Sequence, residues 1–138
     1  MKRLPLVTLL ALCALVPAAR ALPGPSGASY DWGAQLTVAG YDADKASLAD
    51  FPVLVRISPE TVSGFQYAQM NSPSTGADLC FVDMDGNGLP FEIDTWNTNG
   101  ESLVWVRLPS MEQGASFVMC WGGQTSGKAV CADNPFAG

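Results

Sequence analysis

Two tryptophans and three charged residues lie close together in the middle of the chain: Glu92, Asp94, Trp96, Trp105 and Arg107. Side chains alternate between the two faces of a β-strand, so parity predicts that these five share one face of a sheet. Aromatic planes can stack on the apolar faces of sugars, while carboxylates and guanidinium groups can hydrogen-bond sugar hydroxyls. The five residues are therefore a candidate ligand face. A solvent-exposed ladder with covered tryptophans and a docking face for another domain are the alternatives.

Glu92 and Asp94 also have the spacing of a catalytic carboxylate pair. Glycoside hydrolysis needs two carboxyl groups about 5 Å or more apart across a cleft. Many strands carry such pairs, so a solvated acidic edge is the preferred interpretation. The chain contains no histidine, which excludes Ser-His-Asp and Cys-His catalysis and histidine-ligated metals. We therefore expect no enzymatic activity and keep a carboxylate-dependent glycoside hydrolase as a remote alternative.

The segment DMDGNG at 83–88 has part of the pattern of a calcium-binding loop. Asp83, Asp85 and Asn87 fall at positions 1, 3 and 5 of an EF-hand-like loop, but Asp94 stands at position 12, where a bidentate Glu is usual. The flanking residues also resemble strands rather than helices. A hairpin turn in which Asp85 caps its own backbone explains the same residues without a metal. We expect no cofactor, and these three residues are the candidate ligands should calcium bind.

The residues around these candidates form short extended runs separated by Gly, Pro and Asn turns. Strands are predicted near 35–39, at 51–57, three times within 78–105, and at 115–121. A short helical turn is expected near 65–70, and no other helical periodicity follows residue 21. The predicted fold class is all-β, an antiparallel β-sandwich of the jelly-roll-like type.

The segment 78–105 is predicted to be a three-stranded meander with turns at DGNG (85–88) and NTNG (97–100). This register pairs Phe81 with Ile93 and Asp83 with Phe91. Parity then assigns one set of apolar side chains to the core: Leu79, Phe81, Phe91, Ile93, Val104 and Val106. It places Cys80 and Val82 on the opposite face.

The first 21 residues have the organisation of a cleavable signal peptide. Lys2 and Arg3 precede an apolar run at 4–16, and Ala19-Arg20-Ala21 supplies the small residues required at a cleavage site. The run is shorter than the roughly 20 residues that span a bilayer. We expect a signal peptide at 1–21, a flexible leader at 22–29 and a β-sandwich domain at 30–138. The expected location is secreted or periplasmic, with no membrane insertion after cleavage.

The charge of the predicted mature chain excludes some partners. The whole sequence has 7 basic and 13 acidic residues. Three of the basic ones (Lys2, Arg3 and Arg20) would leave with the signal peptide, which gives a net charge of −9. Nucleic-acid phosphates require Lys and Arg, so nucleic acid is not an expected partner. A glycan or a protein is expected instead.

Three cysteines remain after residue 21: Cys80, Cys120 and Cys131. Export permits a disulfide, and the odd number leaves one thiol over. Cys120–Cys131 is the preferred pair because it closes a short glycine-containing loop, and Cys80–Cys120 is the alternative. The CxxC spacing of redox and zinc motifs is absent, which favours a structural role.

An ordered series of short motifs resembles the bacterial family known as domain of unknown function 2341. The motifs are FPVLV at 51–55, DLCF at 78–81, DG at 85–86, LPFEI at 89–93, Trp96, VWV at 104–106 and WG at 121–122. The resemblance extends from about Trp32 to Gly123. It departs from the family pattern at Cys80, where Arg is usual, and at Trp121, where Tyr is usual.

The resemblance implies an exported β-rich module with no assigned activity, so no catalytic residues can be carried over. Members often precede a concanavalin-like lectin domain, and some are fused to proton-channel subunits resembling those of TonB-type energy transduction. Such a lectin-like domain would begin where this chain stops, so a fragment and a gene product truncated at its C-terminal end are the two alternatives that the resemblance implies. We expect a non-catalytic module that binds glycans or cell-surface partners. A structural domain packed on a lectin-like or proton-channel-associated neighbour is the alternative.

Overall fold

The computed structural model describes residues 30–123, which form two antiparallel three-stranded sheets and one 3-10 turn at Tyr67–Gln69. The strands are β1 Tyr30–Thr37, β2 Leu48–Ile57, β3 Cys80–Asp83, β4 Phe91–Thr95, β5 Ser102–Met111 and β6 Ser116–Gly123. Sheet A has the order β1-β6-β3 and sheet B the order β2-β5-β4. The predicted all-β sandwich is confirmed. The predicted signal peptide and leader lie outside the described residues, within which no helix is long and apolar enough to cross a membrane.

The two sheets share one core because apolar side chains alternate with polar ones along the central strands. On β5, Val104, Val106 and Leu108 point inward and are buried, whereas Trp105 and Arg107 point outward. Sheet A contributes its own inward set: Ala34, Leu36, Phe81, Phe117, Met119 and Trp121. Each large apolar side chain removed from water stabilises the fold by roughly 1.5–3 kcal/mol. The core lies between the sheets.

The segment 78–105 is not the continuous meander that the sequence predicts. β3 pairs with β6 in sheet A, and β4 pairs with β5 in sheet B. The 83–90 connection therefore carries the chain from one sheet to the other. Leu89 N–H donates to the Phe81 carbonyl at 2.8 Å, so Phe81 stands opposite Leu89 rather than Ile93. The predicted pairings of Phe81 with Ile93 and of Asp83 with Phe91 are wrong.

The predicted core face is nevertheless confirmed. Leu79, Phe81, Val104 and Val106 are buried, and Phe91 and Ile93 pack against them. The register differs by four residues, and an even displacement leaves every side chain on its predicted face. The Phe81 and Phe91 rings meet edge to face at 5.2 Å, so residues expected to be neighbours within one sheet instead touch across the core.

The segment 58–79 crosses one end of the sandwich and contributes side chains to its core. Phe65 is buried and meets the Trp121 ring edge to face at 5.2 Å. The Tyr67 hydroxyl donates to the Ile57 carbonyl at 2.9 Å and lies 2.8 Å from the Ser102 hydroxyl. The segment is thereby tied to β2 and β5 in sheet B.

Asp78 ties the same segment to sheet A. This carboxylate is buried and accepts hydrogen bonds, each 2.9 Å long, from the backbone N–H groups of Asn71, Ser72 and Gly122. Backbone donors at the end of β6 and in the 58–79 segment thus share one acceptor. A buried donor that loses its acceptor costs about 1–3 kcal/mol.

A second, smaller apolar cluster covers the opposite face of sheet A. Cys80 and Val82 lie there, as predicted from parity, together with Val118 and Cys120, and all four are buried. Cys120 is a free thiol, so both predicted pairings, Cys120–Cys131 and Cys80–Cys120, are wrong. Sequence separation and strand adjacency do not determine whether two sulfur atoms reach bonding geometry.

Asp78→Asn should destabilise the protein by about 1–3 kcal/mol. The NH₂ group of the amide cannot accept a hydrogen bond, so at least one of the three backbone N–H groups loses its acceptor. Urea denaturation followed by tryptophan fluorescence measures this change. Asp94→Asn, at an exposed position, is the matched control and should change the free energy of unfolding by less than about 0.5 kcal/mol. Equal effects of the two substitutions would contradict the role assigned to Asp78.

The buried thiol should make stability fall at alkaline pH. Burial raises the pKa of Cys120 from 9.0 to about 11. The stability that this group contributes is fully present below pH 9 and is lost as the pH rises towards 11, by on the order of 2 kcal/mol. Burial also raises the pKa of Tyr30, which acts in the same direction. Urea denaturation between pH 8 and 11 should therefore show a shallower decline for Cys120→Ala than for the native chain, and parallel curves would contradict the assignment.

Candidate functional site

The outer face of sheet B carries an open depression with a volume of about 590 Å³. Its lining consists of Asp50, Pro52, Glu92, Trp105 and Arg107. The strand register explains this grouping, because Trp105 on the central strand stands opposite Glu92 of β4 and Arg107 stands opposite Pro52 of β2. Three strands therefore hold one aromatic ring and three charged groups on a rigid surface.

Trp105 is the aromatic surface of this depression. Its side chain is 37% exposed, although its strand neighbours Val104 and Val106 are fully buried. Pairing of β5 with strands on both sides fixes the backbone beneath the ring. The indole therefore presents a fixed, half-exposed apolar plane to solvent.

Polar groups of both signs surround the ring. Asp50 and Glu92 supply carboxylate oxygens, which accept hydrogen bonds, and Arg107 supplies a guanidinium, which only donates. The Arg107 backbone N–H donates to the Pro90 carbonyl at 2.9 Å, which anchors the strand at this point. An apolar plane with donors and acceptors beside it suits a polyhydroxylated ligand.

Asp50 is a site residue that the sequence analysis missed. The predicted strand begins at 51, whereas β2 begins at Leu48 and brings Asp50 alongside β5. Asp50 has φ = 49°, in the left-handed region, which Asp tolerates better than most residues do. No periodicity or motif in the sequence marks this residue. Pro52, predicted only as the start of a strand, also joins the lining.

Asp94 does not line the depression. Ile93 pairs with Val104 and Thr95 with Leu103, which leaves Asp94 as the extra residue of a β-bulge. Its carboxylate accepts a hydrogen bond from the Thr95 hydroxyl at 3.0 Å. A bulge reverses the alternation of all residues that follow it in the strand. The expected grouping of Asp94 with Glu92 is therefore not found in the depression.

Trp96 turns towards the core because it follows the bulge. Its ring packs edge to face on Tyr67 at 5.5 Å, and its indole N–H donates to the Pro73 carbonyl at 2.8 Å. Gly76, at φ = 70°, lies beneath the ring, and a Cβ there would stand 2.9 Å from the nearest ring atom. The placement of Trp96 on the ligand face is wrong. Trp96 holds the 58–79 segment against sheet B.

The DGNG turn is closed by its own side chains. Asp83 accepts hydrogen bonds from the backbone N–H groups of Asp85 and Asn87 and from the Asn87 side-chain amide, each at 2.9 Å. Partial burial opposes ionisation of Asp83, but these bonds and one from the Gly86 backbone outweigh it and lower its pKa. Within residues 30–123, no three acidic or cysteine side chains are grouped as metal ligands. The expectation that no cofactor binds, with Asp83, Asp85 and Asn87 as the candidate ligands should calcium bind, stays a prediction.

Comparison with known proteins identifies a family for the second half of the chain. The model of the family described as Domain of unknown function (DUF2341) matches residues 75–134. This segment belongs to the DUF2341 family. The resemblance inferred from the motifs is thereby confirmed, although the motif at 51–55 precedes the matched segment. No curated protein and no solved structure matches the chain.

The DUF2341 segment contains only part of the depression. Glu92, Trp105 and Arg107 lie within it, whereas Asp50 and Pro52 precede it. Four of the six strands, β3 to β6, also fall inside the segment. The family match and the site therefore overlap on β4 and β5.

The two tryptophans should differ sharply in their contribution to stability. Trp96→Ala removes ring packing and a hydrogen bond and should cost about 2–4 kcal/mol. Trp105→Ala removes a half-exposed ring and should cost less than about 1 kcal/mol. Urea denaturation followed by circular dichroism, which is independent of tryptophan fluorescence, measures both. A larger loss for Trp105→Ala would mean that the bulge does not redirect Trp96.

Proposed function

We propose that this chain is an exported, non-catalytic β-sandwich module that binds carbohydrate in the depression on sheet B. The observation that carries the proposal is the half-exposed Trp105 ring, with Asp50, Glu92 and Arg107 around it. The predicted signal peptide supports export, to the periplasm or the cell exterior. Glycans of a cell surface are the ligand class that such a location offers.

The chemistry of the depression supports a sugar more than an apolar ligand. An indole plane matches the C–H face of a pyranose ring, and the surrounding charged groups can bond its hydroxyls in both directions. The groups lie on paired strands, so little side-chain and backbone freedom is lost on binding. An open depression also admits one unit of a longer chain.

The site residues support binding rather than catalysis. The carboxylate pair expected at Glu92 and Asp94 is not brought together, because Asp94 does not line the depression. The two carboxylates that do line it, Asp50 and Glu92, belong to an open surface rather than to the two sides of a cleft, as glycoside hydrolysis requires. The chain has no histidine to act as a general base. Nothing in the DUF2341 match indicates an enzymatic activity.

Trp105→Ala should weaken glycan binding at least about tenfold, because the stacking surface is lost while the fold is kept. A glycan array screen with the native chain identifies a ligand, and isothermal titration then measures the affinity of each variant. Trp32→Ala is the matched control, because Trp32 is 46% exposed on sheet A, away from the depression. Its affinity should equal that of the native chain.

Two results would overturn the proposal. One is the absence of binding to any glycan by the folded chain, and the other is an equal loss in both tryptophan variants. The first result would favour the alternative function, a structural domain that docks on a lectin-like or proton-channel-associated neighbour. In that case Trp105→Ala should weaken association with the neighbouring domain.

A further inference from the structure

The two turns within 78–105 both contain an asparagine followed directly by a glycine: Asn87-Gly88 in DGNG and Asn99-Gly100 in NTNG. Asparagine is chemically labile at such a position, because the backbone nitrogen of the next residue can attack its side-chain amide. Glycine has no side chain to obstruct this approach and leaves the backbone free to rotate. The two turns therefore carry the same reactive pair. Both asparagines are exposed, so access of water does not distinguish them.

Asn87 is held in place by Asp83. Its backbone N–H donates to one Asp83 carboxylate oxygen and its side-chain amide donates to the other, each at 2.9 Å. Its carbonyl oxygen accepts a hydrogen bond from the Asp83 backbone N–H, also at 2.9 Å. Attack by the Gly88 nitrogen requires the Asn87 side chain to leave the carboxylate and the following peptide to rotate. These three hydrogen bonds oppose both movements.

Asn99 is held much less firmly. Its side-chain amide has no hydrogen-bond partner among residues 30–123. Its backbone N–H donates to the Asn97 side-chain oxygen at 3.1 Å. The Gly100 N–H donates to the Asn97 carbonyl at 3.3 Å, which is longer than the usual N–H···O bond. The hydrogen bonds that must open for the reaction are therefore fewer and longer than those at Asn87.

We propose that Asn99 is a site of spontaneous deamidation, whereas Asn87 is protected by Asp83. The Gly100 nitrogen loses its proton to hydroxide and attacks the Asn99 Cγ atom. The N–Cγ bond forms, the Cγ–Nδ2 bond breaks, and Nδ2 takes a proton from water and leaves as ammonia. Water then opens the cyclic succinimide at either carbonyl, which yields aspartate or isoaspartate in place of Asn99. Water is the co-reactant, and no oxidant or reductant takes part.

The reaction alters the turn that joins β4 to β5. Either product adds a negative charge near Glu101, whose carboxylate lies 2.9 Å from the Arg56 Nε atom. Isoaspartate also lengthens the main chain by one carbon next to Gly100, whose carbonyl accepts a hydrogen bond from the Tyr67 hydroxyl at 3.3 Å. The modification therefore acts where the 58–79 segment meets sheet B.

Incubation of the full chain at mildly alkaline pH, followed by digestion and tandem mass spectrometry, tests the proposal. Cleavage after Glu92 and Glu101 places Asn87 and Asn99 in different peptides. Deamidation raises the mass of a peptide, and fragmentation assigns the modified residue. Asn99 should deamidate at least about tenfold faster than Asn87 in the folded chain, because opening the hydrogen bonds at Asn87 costs free energy.

Two controls belong to this measurement. A sample digested without incubation corrects for deamidation during digestion. A sample incubated in denaturant removes the structural difference between the two turns, and there the rates at Asn87 and Asn99 should become similar.

Two substitutions test the reactive pair and its protection separately. Asp83→Ala should raise the rate at Asn87 at least about fivefold. The rate at Asn99 in the same molecule should stay unchanged, which shows that the fold is kept. Gly100→Ala should slow the reaction at Asn99 at least about tenfold, because a methyl group obstructs the attack, and should leave Asn87 unchanged. The added Cβ would stand 2.8 Å from the end of the Asn97 side chain, which can move.

Equal rates at Asn87 and Asn99 in the folded chain, or a faster reaction at Asn87, would overturn the proposal. An unchanged rate at Asn87 in Asp83→Ala would show that Asp83 does not protect it.

Discussion

The alternation of side chains along β5 is the constraint on which both the core and the candidate site depend. β5 is the central strand of sheet B and pairs on both sides over ten residues. Val104 and Val106 face the core, so Trp105 and Arg107 must face outward. A slip of one residue would expose the valines and bury the Arg107 guanidinium. Burying a charge without compensation costs so much free energy that this register is excluded. The site is thus specified by the same pattern that specifies the core.

The sequence predicts which face a side chain occupies better than it predicts which strand lies beside it. Face depends on parity, a local property, whereas strand pairing depends on competition among distant segments. Phe81 shows the difference, because it stands opposite Leu89 instead of Ile93 and still points into the core. Asp83 closes the turn tightly with its own hydrogen bonds. The strands then diverge, and β3 pairs with β6 while β4 pairs with β5.

A single extra residue explains the main error in the predicted site. Parity groups Trp96 with Glu92 only if the strand between them is regular, and the bulge at Asp94 breaks that regularity. No Gly or Pro marks the bulge in the sequence, so inspection of the pattern cannot find it. Glu92, Trp105 and Arg107 are brought together as predicted because they lie before the bulge or on another strand. Asp50 joins them through the pairing of β2 with β5, which no local feature of the sequence predicts.

The outer faces of the two sheets have opposite character, and this asymmetry supports the proposal that a ligand binds on sheet B. On sheet A the outward positions of β3 and β6 carry valine and cysteine, which gain stability only when they are removed from water. On sheet B the outward positions of β4 and β5 carry Glu92, Trp105 and Arg107, which line an open depression. Substitutions at Trp105 can therefore test the proposed binding while the buried side chains that stabilise the fold are kept.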